Sequence, residues 1–162
     1  MGKGRLVLAW SALLCASALA SGTIGYGSRV GMEVTVISMS GLDTSNAVIR
    51  TKHTRGNAAK FCKEYADDPS EKCIDSEMSI PLNDEIHGNC VTGGFVDFFG
   101  NEYQFDGKIR HKTDLMANYA LRHMSGPNRG QLADGSSASN YPTAMSIYKD
   151  LCPSEAPPEE MW

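Results

Sequence analysis

The alternation of apolar and polar residues changes period several times along this chain, and each change predicts a structural element. In "MEVTVISM", residues 32–39, Val34 and Val36 alternate with Glu33 and Thr35, the period-two pattern of a half-buried strand. "AVIRTKH", residues 47–53, sets Ala47 and Ile49 against Arg50 and Lys52 in the same way. The intervening "SGLDTSN" has turn chemistry, so the two strands are expected to form a hairpin. Before them, "SGTIGYGSRVG", residues 21–31, is Gly-rich and aperiodic and predicts a flexible lead-in.

The period then lengthens. Ala58, Phe61, Cys62, Tyr65 and Ala66 recur at the spacing of one helix face, with Thr54 or Asn57 available as cap. "DPSE" announces a second helix: Asp68 as N-cap, Pro69 at the first helical position and Glu71 three residues after the cap. This helix is expected to run toward Ser79 and stop before Pro81. If the two pack antiparallel about a midpoint between Asp67 and Asp68, Cys62 and Cys73 lie opposite each other.

The densest aromatic stretch is "GFVDFFGNEYQFDG", residues 94–107. With Gly100-Asn101 as a two-residue type II′ loop, Phe98 would face Tyr103, Val96 would face Phe105, and Asp97 would face Gln104. That register puts Val96, Phe98, Tyr103 and Phe105 on one face. Asp97, Glu102, Gln104 and Asp106 share the other face with Phe95 and Phe99. The stretch is mainly architecture on this reading. Its functional rival is an aromatic recognition face anchored by Asp97. Phe95 and Phe99 either pack under a helix or, with the nearby basic cluster "GKIRHK" (Lys108, Arg110, His111, Lys112), form a candidate binding surface.

Further along, "NYALRHM" predicts a strand with Tyr119, Leu121 and His123 on one face, "SGPNRG" a loop, and "QLADG" a short returning strand. Ala144, Ile147, Tyr148 and Leu151 trace a final helix, with Ser139 or Asn140 as cap, Pro142 in its first turn and Pro153 ending it. The remainder, "SEAPPEEMW", residues 154–162, reads as a disordered acidic tail. Strands in sequence with helices segregated from them predict a single α+β domain over residues 32–153. In it a mostly antiparallel sheet packs against a disulfide-linked helical hairpin and a C-terminal helix.

The first twenty residues alter this picture. Lys3 and Arg5 precede an apolar run from Leu6 to Leu14, and Ala18-Leu19-Ala20 follows, the pattern of a secretory signal peptide covering residues 1–20. The run is shorter than the ~20 apolar residues that span a bilayer. Cleavage would remove Cys15, Lys3 and Arg5 and no acid. The exported chain is then more acidic than the full-length net charge of −4, which argues against nucleic-acid binding. Cys62, Cys73, Cys90 and Cys152 remain, an even set suited to two disulfides in a periplasmic or extracellular setting. The helical-hairpin geometry favours Cys62–Cys73 with Cys90–Cys152, and the crossed pairings stay open.

Catalytic signals are sparse. His53, His87, His111 and His123 stand at no metal-ligand spacing from one another or from a cysteine, and neither a G-x-S-x-G elbow nor an S-x-x-K motif occurs. The loop "ADGSSAS" offers Ser136, Ser137 and Ser139 ahead of a helix and could present N–H groups to an anion, although a turn leading into a cap explains it more simply. No cofactor is expected. The leading expectation is a non-catalytic periplasmic accessory or binding protein, whose partner would be another periplasmic protein or an envelope component. One alternative is a small cell-envelope hydrolase with a His and an Asp brought together in space; another is a protein inhibitor presenting "SGPNRG". The stretches "NCVTGGFVDFFGNEYQF" and "LADGSSASNYPTAMSIYKDLCP" resemble a group of small exported hypothetical proteins from alphaproteobacteria. That resemblance implies a Gram-negative periplasmic location and carries over no activity or site residue.

Overall fold

A computed structural model describes residues 22–111 and 114–161. The signal-peptide expectation for residues 1–20 and the basic residue Lys112 lie outside them. Seven strands form one antiparallel sheet in strict chain order: β1 (Thr23–Gly25), β2 (Glu33–Ser40), β3 (Ala47–Lys52), β4 (Glu85–Asn89), β5 (Gly94–Val96), β6 (Glu102–Lys108) and β7 (Tyr119–His123). Helices α1 (Arg55–Glu64) and α2 (Glu71–Met78) intervene between β3 and β4, and α3 (Tyr141–Leu151) follows β7. The α+β class, the helical hairpin and the C-terminal helix are as the pattern predicts.

The curled sheet turns one face onto α3. Val34, Val36, Ala47, Ile49, Ile86, Phe95, Tyr103 and Leu121 point inward from successive strands and meet Tyr141, Ala144, Met145, Ile147, Tyr148 and Leu151. Tyr148 stacks between Phe105, 4.6 Å away, and Phe95, 5.4 Å away. The helix approaches β4 so closely that a Cβ on Gly88 would lie 3.1 Å from Leu151 Cδ1. Glycine at this position lets α3 pack close against the strand. Cys90 and Cys152 are disulfide-bonded with Cα atoms 5.5 Å apart, tying the end of α3 to the end of β4.

The helical hairpin is built differently. Thr54 and Asn57 form a reciprocal capping box at the start of α1. Ser70, rather than Asp68, caps α2; the Asp68 carboxylate accepts from the Ser70 amide one step earlier, and Pro69 falls before the helix. The predicted Cys62–Cys73 bond is present, Cα to Cα 6.0 Å. Around it only Ala58, Cys62 and Ile74 are buried as a separate apolar cluster.

Three further expectations change. The lead-in is not loose: Thr23–Gly25 pairs with β2, and Ile24 and Tyr26 enter the core. The C-terminal tail is ordered through Met161. Asp43, in the β2–β3 turn, accepts from the Ser154 amide and hydroxyl at 2.7 and 2.9 Å, Pro157 is buried, and Asn118 Nδ2 donates to the Met161 carbonyl. Composition predicts disorder only where a segment finds nothing to pack on. The β5–β6 register also differs: Phe95 pairs with Tyr103 and Val96 with Glu102, a shift of three residues. An odd shift exchanges the faces of a strand. Phe95 therefore joins the core with Tyr103, and β5 stops at Val96 because residues 97–101 form a longer turn around Asp97.

Candidate functional site

That turn is organised by a carboxylate. Asp97 is 1% exposed. Its Oδ1 accepts from the amides of Phe99 (2.8 Å) and Asn101 (2.9 Å), and its Oδ2 accepts from Asn101 Nδ2 (2.9 Å). These N–H donors, with the Tyr103 hydroxyl 3.5 Å from Oδ2, satisfy the buried carboxyl group in place of water. Gly100 occupies the left-handed region, φ 78°, so the chain can close around the side chain. The consequence is positional: Phe99 is held half-exposed and Asn101 is held at the start of β6.

Both residues line a cleft of about 370 Å³ whose other walls are Tyr103 on β6, His123 on β7, the loop Ser125–Asn128, and Ala138–Asn140 ahead of α3. Each wall is fixed. Ser125 Oγ accepts from the Glu102 amide at 2.9 Å. Asn140, at φ 59°, links a short 3-10 helix (Ser137–Ser139) to α3 and donates from Nδ2 to Tyr103 Oη at 3.4 Å. Burial raises the Tyr103 phenol above its ordinary value, so it stays neutral. The His123 ring lies 5.2 Å from that of Tyr103. No Asp, Glu, Lys or Arg lines the cleft among the described residues.

Three stretches that the sequence singles out for separate reasons thus converge here: Phe99 from the aromatic run, "SGPNRG", and the end of "ADGSSAS". The last is not an anion site. Asp134 already occupies it, accepting from the Ser136 amide (2.8 Å) and hydroxyl (2.6 Å), and these bonds hold its carboxyl down at about 2. The "SGPNRG" loop is an exposed turn after β7, closed by the Gly130 amide donating to the His123 carbonyl. Asn101, Tyr103 and Asn140 were missed as site residues. The available signal was an Asp followed by Gly-Asn, whose side chain can take the amides two and four residues on.

The remaining candidates disperse. Phe95 is 3% exposed and offers no surface. Lys108, Arg110 and His111 are exposed at the far end of β6 from Phe99. A strand of 7 residues separates them, roughly 20 Å at ~3.3 Å per residue. They do not form one surface with Phe99. His87 Nε2 meets Glu85 Oε1 at 2.9 Å on the open outer face of the sheet, with no hydrogen bond to a hydroxyl among the described residues. Cys62, Cys73, Cys90 and Cys152 are all spent in disulfides.

His53 stands apart. Both its ring nitrogens are enclosed without a hydrogen-bond partner, and its ring lies edge-on to Tyr26 at 5.6 Å. Tyr26 donates to the buried carboxylate of Glu77 on α2. Burial lowers the His53 pKa, opposed by the nearby Glu77 charge, while burial and the Glu77 bond raise that of Tyr26. This trio joins the helical hairpin to the sheet, with both His53 ring nitrogens enclosed. No group of three or more potential metal ligands occurs among the described residues. No family model, no curated protein and no solved structure matches the chain.

Proposed function

We propose that this protein is an exported, non-catalytic binding domain that takes a small polar ligand in the cleft between the Asp97 turn, β7 and the N-terminus of α3. One observation carries the reading: polar side chains from four segments are held in place around a concave site, and their hydrogen-bonding capacity is partly unspent. Two disulfides favour an oxidising compartment, and no helix among the described residues is long and apolar enough to cross a membrane. With the signal-peptide pattern and the resemblance to alphaproteobacterial exported proteins, these features support a periplasmic or secreted location and an envelope component as ligand source.

The hydrolase alternative gains less. A general base needs a proton to take within about 3 Å. In the cleft His123 has only a ring contact, and the Asp97 oxygens accept from N–H donors and, at 3.5 Å, from the Tyr103 hydroxyl. The test is a ligand screen on the disulfide-intact, isotope-labelled protein, read by amide shifts. Saturable shifts confined to residues 99–103, 123–128 and 138–140 are expected. Saturable shifts elsewhere, with this cleft silent, would reject the reading.

A further inference from the structure

The chemistry of the walls says what kind of molecule the cleft suits. Resting on the binding-domain reading, we infer that the ligand is a neutral saccharide of one or two rings. Anions are disfavoured because no lysine or arginine lines the cleft, and cations because no carboxylate does. Asp97, the nearest buried acid, is covered by the amides and side chain it binds.

What remains is an uncharged wall rich in groups that accept and donate. Asn101 and Asn140 each spend Nδ2 inside the protein and keep Oδ1 as an acceptor. Ser125 accepts from the Glu102 amide and keeps its O–H to donate. Asn128 and His123 add groups with no side-chain hydrogen bond of their own among the described residues. A sugar hydroxyl is donor and acceptor at once, so a row of them matches a wall of mixed amides and hydroxyls better than a ligand of single polarity does.

The apolar component agrees. Phe99 is 46% exposed at the rim, with Tyr26 edge-on beneath it at 6.2 Å. One side of an aromatic ring is thereby backed while the rest stays open to the C–H face of a pyranose, a weak C–H contact that adds to the polar ones. A peptide is less suited. The outer edge of β7 is already used: the His123 amide donates to Gln131 O and the Ala133 amide to Leu121 O, so no open strand edge is offered for backbone pairing. The volume, about 370 Å³, falls near the lower end of small-molecule sites and suits one or two rings rather than a long chain.

The experiment titrates the labelled, oxidised protein with glucose, N-acetylglucosamine, maltose and N,N′-diacetylchitobiose. Inorganic phosphate and an Asn-Ser-Asn tripeptide serve as comparators. Saturable amide shifts at Asn101, His123, Ser125 and Asn140 with at least one sugar, and none with phosphate, are expected. Asn128→Ala and Phe99→Ala should each weaken that sugar about fivefold or more, as expected for losing one neutral hydrogen bond or ring contact. Asn128 is an exposed loop residue, so its variant separates binding from folding. Saturation by phosphate or tripeptide alone overturns the saccharide while keeping the binding cleft. Silence from every probe, or sugar binding undiminished in both variants, overturns the saccharide, and a silent cleft in the wider ligand screen overturns the binding reading as well.

Discussion

The sheet with α3 and the α1–α2 hairpin each hold one disulfide, but the two bonds do different work. Cys90–Cys152 joins elements that already share a continuous core from Ile24 to Leu151. Cys62–Cys73 joins two short helices with three buried apolar residues, Cys62 among them. The hairpin rests on the sheet through polar contacts: Tyr26 to Glu77, Thr35 to Asn57, and Lys60 to Glu33 at 2.9 Å. Exposed ion pairs of the Lys60 kind are worth little, ~0–1 kcal/mol. The sheet would keep its shape without its disulfide, whereas the hairpin depends on its own. A small unit that cannot bury enough apolar surface is held by a covalent link instead.

Breaking the bonds tests that contrast most strongly. Replacing Cys90 and Cys152 by Ser opens a loop spanning 62 residues and should lower global stability by about 4 kcal/mol on the chain-entropy account. The fold should persist, because α3 stays buried; loss of native amide dispersion would show that the core is insufficient. The Cys62→Ser/Cys73→Ser pair opens a loop with a separation of only 11 and should remove about 3 kcal/mol. That loss is expected to fall locally. Hydrogen exchange should accelerate in residues 55–78 while β2–β7 stay protected, and uniform acceleration would mean that the two regions unfold as one.

A smaller effect probes the junction. Tyr26→Phe keeps the ring that packs on His53 and Phe99 but removes the donor to Glu77, which is 6% exposed. Leaving that buried carboxylate short of a partner should cost about 1–3 kcal/mol, with exchange in α2 rising more than in α1. An unchanged α2 would show that the contact contributes nothing to docking.

Acid provides the finest division, because the two regions should respond in opposite directions. The folded pKa of His53 lies below its ordinary 6.5, chiefly through burial. The open hairpin therefore binds the proton more readily. Protection of residues 55–78 should be full above 6.5 and fall as pH drops through the lower folded value, by at most about tenfold per pH unit for one proton. His53→Gln should flatten that slope. Asp150, on α3, is shifted the other way, from 3.8 up to about 6, mainly by burial and also by the Glu159 charge. Its folded state favours the protonated form, so stability is greatest below 3.8 and is lost as pH rises through about 6. Asp150→Asn should raise stability at neutral pH by ~1 kcal/mol after allowance for solvent screening, and do nothing below pH 4. Thermal melts across the pH range check both signs; parallel slopes would dissolve the distinction.

Much of the fold was legible in the chain, and the misses have physical causes. Period-two and period-3.6 patterns located β2, β3, α1 and α3, and the antiparallel placement of two short helices favoured the Cys62–Cys73 pairing that the structure contains, with the crossed pairings left open by the sequence. Segments 21–31 and 154–162 were misread because Gly- and Pro-rich composition reports what a segment does alone. Ile24, Tyr26 and Pro157 instead gain burial against elements far away in sequence. The β5–β6 register was misread because Asp97 was assigned to a strand, when its carboxylate closes a turn that lengthens the loop. Phe95 then moved from candidate surface to core. In the cleft, Phe99 and two of the walls were flagged separately, but nothing local connects residue 99 with residues 125–128 and 138–140.

The amino-acid sequence alone determined the kind of β2, β3, β5–β7 and the three helices, the cysteine spacing and the acidic balance, since these depend on neighbours within a turn or two of the chain or on simple composition. Which face Phe95 turns inward, which residues wall the cleft and which buried groups meet His53 were decided only when the strands curled around α3. Those contacts join residues dozens of positions apart, and their geometry follows from register and packing that no local period encodes.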